Sequence, residues 1–394
     1  MNHAVLEVEP IDITFVRGHR RFADSGHGEL LMPPPPSLAA GAVRSRMLAD
    51  AEVDLHAFAQ GKAPPGPLAD VLGTPRDPGR FEIAWVALAH REQGRDGGGG
   101  KDTAYLPLPA DLFVTEPVPG RPTVHRLVPC PVDSLGVRGS FALPEAPVLR
   151  QRERSKPSGR WWISAAGLAR HLAGRTPQAT ELLPSLRLWK RETRLGIGMV
   201  PERRTVKTGL IYTSDAAALT PGTRFLVGVR GAEGALPCEG LLRFGGDGRG
   251  ASVSVGDAKL VAALFDAPVP KGRRFRLLLL TPGLSPSGWL PPGLEQRDGA
   301  WWLRLDGLEA KLVAATVPRS GVASGWDLAL GQPKPAWRTI PAGSVFWFEV
   351  VSGDTGPLAR LREEGLWALP QRDWHGERER RRAEGYNRVL LGVG

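Results

Sequence analysis

The run RFLVGVRG at residues 224–231, followed by LLRFGGDGRGASVSV at 241–255, decides how this chain is read. An apolar, β-branched stretch ending in glycine signals a strand, and the glycine-rich centre of the second run signals a tight loop. Downstream, RFRLLLLTP (274–282), WWLRLDGLEAKLVAATV (301–317) and SVFWFEVVSG (344–353) repeat the strand pattern, with LVAALF (260–265) and PLARLREEG (357–365) as helical interruptions. These segments make one α+β unit, assigned to residues 216–394, in which the basic run GERERRRAEG precedes an apolar end expected to pack.

Working upstream, a comparable unit occupies residues 1–215. Leu6–Val16 alternates as a strand interrupted at Pro10, and a basic loop, Arg17–Arg21, closes it. After MPPPPS, Ser37 is the expected N-cap of a helix whose Val43, Met47, Leu48, Ala51, Leu55 and Phe58 recur at three- and four-residue spacings. FEIAWVALAH (81–90) and TAYLPL (103–108) read as strands around a polar, glycine-rich connector, and residues 112–149 show no clear period. WWISAAGLARHLAG predicts a short helix capped by Ser164 and ended by Gly174, with one tryptophan of the pair facing inward. Residues 192–212, ETRLGIGMVPERRTVKTGLIY, predict an extended hairpin with a basic tip at Arg203, Arg204 and Lys207. Two halves with strands and helices in similar alternation suggest a duplicated ferredoxin-like βαββαβ module, without a detectable sequence repeat.

At 394 residues the chain is long enough for two or three packed units. Lys+Arg number 51 against 41 Asp+Glu, giving +10, and only nine of the basic residues are lysine. A surplus of guanidinium suits bidentate phosphate contacts and stacking on bases, although arginine-rich coding bias produces the same balance. Cys130 and Cys238 are too few and too far apart for a disulfide framework or a metal knuckle, which fits a reducing compartment. Without a signal-like N-terminus or an apolar run of ~18 residues, a cytoplasmic, membrane-free protein is expected.

Glycine-rich Gly100–Lys101 fails as a nucleotide loop, because Arg95 and Asp102 stand where that pattern needs glycine and Ser/Thr. The 244–250 loop, FGGDGRG, is a better anion candidate: glycines expose backbone N–H groups and Arg249 supplies charge, though a plain hairpin turn explains it as well. Arg44 and Arg46 near the start of the predicted helix add phosphate affinity if its N-terminus is open. None of the eight histidines has a partner at metal-ligand spacing and no GxSxG elbow occurs, so neither a metal nor a cofactor is expected. His19 and His27, in a basic loop, are the only candidates for acid–base work on RNA.

Taken in order, GELLMPPPPSLAAGAVRSRML (28–48), YLPLPADL (105–112), ETRLGIGM (192–199), TGLIYTSD (208–215), LLRFGGDGRGA (241–251), SGWD (324–327) and IPAGSVFWFEV (340–350) resemble the third-subunit family of the Cmr effector complex. This is a RAMP-superfamily branch of type III-B CRISPR systems. The resemblance implies two ferredoxin-like (RRM-like) RAMP domains with long inserted loops. It also implies a non-catalytic role gripping the 5′ tag of the CRISPR RNA, with target RNA met only indirectly. Implied partners are the large Cas-ten-type polymerase-like subunit and the neighbouring backbone RAMP subunit. Carried over onto matching positions, the RNA-binding residues are Gly41, Arg44 and Ser45, then Arg194 and Gly196, then Gly245, Gly246 and Arg249; Arg46 and the hairpin-tip residues join them on charge. Two departures stand out: Asp247 replaces the usual glutamate of the glycine loop, and HRRF at 19–22 replaces Arg-Pro-Phe. Two other readings compete: a metal-independent endoribonuclease using His19 or His27, and a scaffold that binds protein alone.

Overall fold

The computed structural model describes residues 3–16, 18, 27–92, 100–136, 143–151, 156–200, 202–371 and 376–394. His19, Arg20 and Arg21, with most of the 91–100 connector, lie outside them.

The fold is mixed α+β, mostly strands with few helices. An eight-stranded antiparallel sheet runs, edge to edge, Leu182–Pro184, Trp161–Ser164, Asp102–Pro107, Glu82–Arg91, Thr223–Arg230, Ala4–Pro10, Gly250–Val255 and Glu239–Arg243. A second, six-stranded sheet runs Glu295–Arg297, Ala300–Leu305, Leu308–Thr316, Val345–Ser352, Arg274–Leu279 and Val389–Val393. Thr223–Arg230, expected to open the second unit, is instead central to the first sheet, between Ala4–Pro10 and Glu82–Arg91. Both of its faces are buried: Phe225, Val227 and Val229 face one core while Leu226 faces another. By hydrogen bonding the first sheet therefore reaches Val255, and the second begins at Arg274, well past residue 215.

Pro36–Asp50, the long helix, covers one face of the first sheet through Ala39, Ala40, Val43 and Met47. Ser37 is not its cap. The N-cap is Pro35, without a side-chain cap bond, while the Ser37 hydroxyl lies 3.1 Å from the Tyr386 hydroxyl. Four prolines preset φ for a helix start, so no capping oxygen is needed there. The opposite face of the first sheet shares a core with the second sheet: Ala84, Trp85, Ala87 and Leu226 pack with Leu278, Val313, Trp347 and Leu390. The far side of the second sheet is closed by Leu358–Glu364 and the turn after it.

Ala165–Leu172 follows the sequence reading closely. Ser164 Oγ accepts from the Gly167 N–H at 3.1 Å, Gly174 ends the turn at φ +81°, and Trp162 is buried beside a half-buried Trp161. Within residues 112–149, which have no clear period, the described residues hold two small hairpins, Leu112–Val118 with Arg121–Arg126 and Val128–Pro131 with Glu145–Val148. Prolines in all four of these strands and a register shift blur the alternation.

Candidate nucleic-acid interface

The first strand stops at Pro10, and the chain from Ile11 to Val16 leaves the sheet to become the meeting point of the sequence-predicted segments. Ile11 N–H donates to Gly250 O (3.1 Å); Thr14 and Ala217 exchange backbone bonds at 2.8 and 2.9 Å; the Leu31 N–H reaches Val16 O at 2.9 Å. Ile13, Phe15 and Ala216 form a small core of their own. Through this stretch the glycine loop, the root of the 189–219 hairpin and the lead-in to the long helix are fixed against one another.

The glycine loop is docked on Phe15. Gly245 has φ +98°, and a Cβ there would lie 2.8 Å from Phe15 O, so the close approach demands glycine. The Gly246 N–H donates to that same oxygen at 2.8 Å. It is therefore not free to cradle an anion, contrary to the simple reading of the motif. The Arg249 guanidinium lies over the Phe15 ring, 5.4 Å from its centroid, and pairs with Asp12 at 2.7 Å. The loop presents its exposed tip, Asp247–Gly248, to solvent.

Along the long helix Gly41 and Ser45, one turn apart, are exposed, and a Cβ on Gly41 would meet nothing within 4 Å. Arg44 turns under the helix instead. Its Nη2–H donates to Leu72 O at 2.8 Å, its guanidinium lies 5.7 Å from the Phe81 ring, and burial lowers its pKa to about 10 despite Glu384. Arg44 is also the ninth helical residue, beyond the first turn where the dipole acts, so a phosphate grip at the helix start is not what it provides. Arg46 pairs with Asp50 at 2.7 Å and donates to Leu241 O, tying the helix to the edge strand that leads into the glycine loop.

The predicted hairpin is a finger formed by Trp189–Val200 and Thr205–Leu219. Gly196 is opposite Tyr212, whose ring occupies the space above it: a Cβ would lie 2.3 Å from the ring. Leu195, Ile197, Met199, Val206 and Ile211 are exposed, and the pairs Ile197–Ile211 and Met199–Val206 set them on one face. Arg194 pairs with Glu192 on the finger, and Arg203, Arg204 and Lys207 are exposed at its tip. At ~3.3 Å per residue the tip stands on the order of 30 Å from the root, so these three cations are not brought to the glycine loop.

At the root, His27 and Gly28 pair in parallel with Thr213 and Ser214. The His27 Nδ1 is 2.9 Å from the Thr213 hydroxyl and its Nε2 is 3.1 Å from buried Asp215, which also accepts from Thr193 Oγ1 at 2.6 Å. Both imidazole nitrogens are engaged. Sequence reading missed Asp12, Phe15 and Asp215 because each acts on a residue far away in the chain; the Gly196–Tyr212 pair was accessible from the hairpin register.

Elsewhere the charged groups staple the two sheets. Arg276 on the second sheet reaches Asp111 (2.6 Å) and His171 O (2.6 Å), and His171 Nε2 is 2.8 Å from Asp111. Burial pushes the Asp111 carboxyl up, but His171 and Arg276 outweigh it and hold it below its ordinary value, while burial lowers His171. Among the described residues no group of three or more His, Cys, Asp or Glu could hold a metal. Nor is any described helix long and apolar enough to cross a membrane.

No curated protein matches the chain. Among solved structures it is similar to a chain of a type III-B Cmr-beta complex bound to cognate target RNA, with TM-score 0.49 and 14% identity over 98% of this chain and 96% of that one. A second, the same type of complex with cognate target RNA and AMPPnP, gives TM-score 0.47 and 13% identity over 98% and 95%. Residues 6–394 match the family described as CRISPR-associated protein (Cas_Cmr3). Since that match spans nearly every strand of both sheets, the chain belongs to the Cas_Cmr3 family of CRISPR-associated proteins.

Proposed function

We propose that this chain is a non-catalytic, cytoplasmic RNA-binding subunit of a type III-B CRISPR effector complex. It grips the 5′ tag of the CRISPR RNA and joins the large polymerase-like subunit to the backbone subunits. The observation that carries the reading is the convergence on residues 11–16 of the glycine loop, the finger root and the segment entering the long helix. Tag recognition needs backbone-accessible surface and positive charge in place of a nucleophile or metal. The exposed, Cβ-free surface at Gly41 beside Ser45, with Arg46 on the same helix, supplies the first, and the +10 net charge supports the second. The finger's exposed apolar face supports contact with a neighbouring subunit. Engagement of both His27 nitrogens disfavours an acid–base role in RNA cleavage.

Both sheets are read as ferredoxin-like. With the four main strands of each numbered in chain order, their order across the sheet is fourth, first, third, second, every neighbour antiparallel. Each keeps helix on one of its two crossovers: Pro36–Asp50 in the first sheet, Leu358–Glu364 with Arg378–Ala383 in the second.

The test is binding of the purified chain to labelled CRISPR RNA with its 5′ tag, against the same RNA with the tag scrambled, at two salt concentrations. Tag preference with a log–log salt slope of ~0.7 per neutralised phosphate is expected. A flat salt response would favour the protein-only scaffold, and cleavage of tagged RNA lost in His27→Ala would favour the endoribonuclease.

A further inference from the structure

We infer that a cavity beside the Trp161–Ser164 strand is a pocket for one unpaired nucleobase of the bound RNA, a site that rests on the RNA-binding reading above. The cavity measures about 260 Å³. That is below the ~300–1,000 Å³ of sites for drug-sized molecules, a size suited to one ring system. Trp161 and Phe113 give it flat walls, Trp189 enters from the start of the finger, and Met32 and Pro33 close it from the segment leading into the long helix. It therefore joins two of the elements that meet at the candidate interface.

One buried donor among its lining residues is without a partner among the described residues. Trp189 is 7% exposed, and its indole Nε1–H makes no hydrogen bond, whereas the Trp161 Nε1–H is already satisfied by Ser158 O at 2.7 Å. Leaving a buried donor unmade is costly, so a side-chain adjustment that turns this N–H toward an acceptor held in the cavity would be favoured. An aliphatic side chain inserted here leaves the donor orphaned. A nucleobase brings carbonyl oxygens and ring nitrogens in the plane of a flat, stackable ring. Arg160 lines the rim and is exposed, placed to meet the phosphate that accompanies the base.

The experiment uses the full chain and the tagged RNA. In wild-type protein, an abasic site is walked through the RNA one position at a time, and affinity is measured at fixed salt. One position is expected to lose ~10-fold or more, the contribution of a stacked base. Trp189→Phe, which keeps the ring and removes the donor, is expected to weaken intact RNA ~3- to 10-fold and to leave the abasic RNA at that position unchanged. Its melting temperature is recorded beside wild type, and the abasic walk needs no variant. Salt-dependent binding that is indifferent to every abasic position overturns the pocket and leaves the RNA-binding reading standing. Absence of salt-dependent RNA binding overturns both.

Discussion

Gly41→Ala and Gly245→Ala are expected to move stability in opposite directions. Gly41 has helical backbone and open space around a Cβ, so alanine should raise the melting temperature by removing a penalty of ~1 kcal/mol. If RNA backbone lies against that surface, the same substitution weakens tag binding, and calorimetry beside a binding curve reads the two effects separately. At Gly245 a side chain meets Phe15 O in a left-handed backbone, and a loss of roughly 1–3 kcal/mol is expected in the same calorimeter. Arg44→Met is expected to leave tag preference intact, because Arg44 is held between Leu72 O and Phe81; a lost preference would return Arg44 to the interface. These residues look alike in sequence, glycines and arginines in short glycine- and arginine-bearing segments. What separates them is which ones touch Phe15 or Phe81, 230 or about 37 residues away, and local spacing carries no such information.

Among elements, those with a local cause were legible and those with a distant cause were not. Ser164 caps its helix because the Gly167 N–H is three residues away, and the finger follows from alternating apolar residues on two arms. The long helix starts and ends differently from its reading: prolines start it in place of Ser37, whose hydroxyl is turned toward Tyr386, and it stops at Asp50, leaving Leu55 and Phe58 to a separate short helix, Leu55–Ala59, capped by Asp54. Thr223–Arg230 was recognised as a strand, yet its partners Ala4–Pro10 and Glu82–Arg91 are set by tertiary packing, so its sheet was not legible. For the finger, replacing Arg203, Arg204 and Lys207 together by alanine tests the tip. If the tip follows the RNA backbone, the log–log salt slope should fall by up to about 2, at ~0.7 per phosphate. An unchanged slope with weakened assembly would assign the finger to a protein partner.

Across the whole molecule the two sheets are held by buried charge as well as by their common core. Arg276→Met leaves Asp111 and His171 without their cation, and a loss of ~3–5 kcal/mol is expected on denaturant unfolding. Acid should loosen the same junction. Burial, aided by Arg230 and Arg388, lowers the His3 pKa to about 4 from 6.5, so between those values the unfolded chain binds the extra proton. Stability should therefore fall as pH drops from about 6.5 towards 4. Glu82 acts in the same sense: burial raises its pKa, Arg388 and Arg382 overcome this, and its stabilisation is lost on protonation. Melting curves at pH 7 and pH 5 check this, and His3→Gln should flatten part of the difference.

The shared core between the sheets has a consequence for how any nucleic acid can be read. A lone four-stranded module of this kind offers its helix-free face as a platform on which bases lie flat. Here that platform is walled up, since Trp85, Leu226, Trp347 and Leu390 face one another inside. The polymer is left with the rims: the ends of strands, the loops beyond them and the crevices between one strand edge and the next. On the proposed RNA-binding role, recognition confined to rims would follow a path around the molecule and depend on loops holding their relative places, and residues 11–16, bonded to three of those segments at once, act as the gauge that sets their spacing.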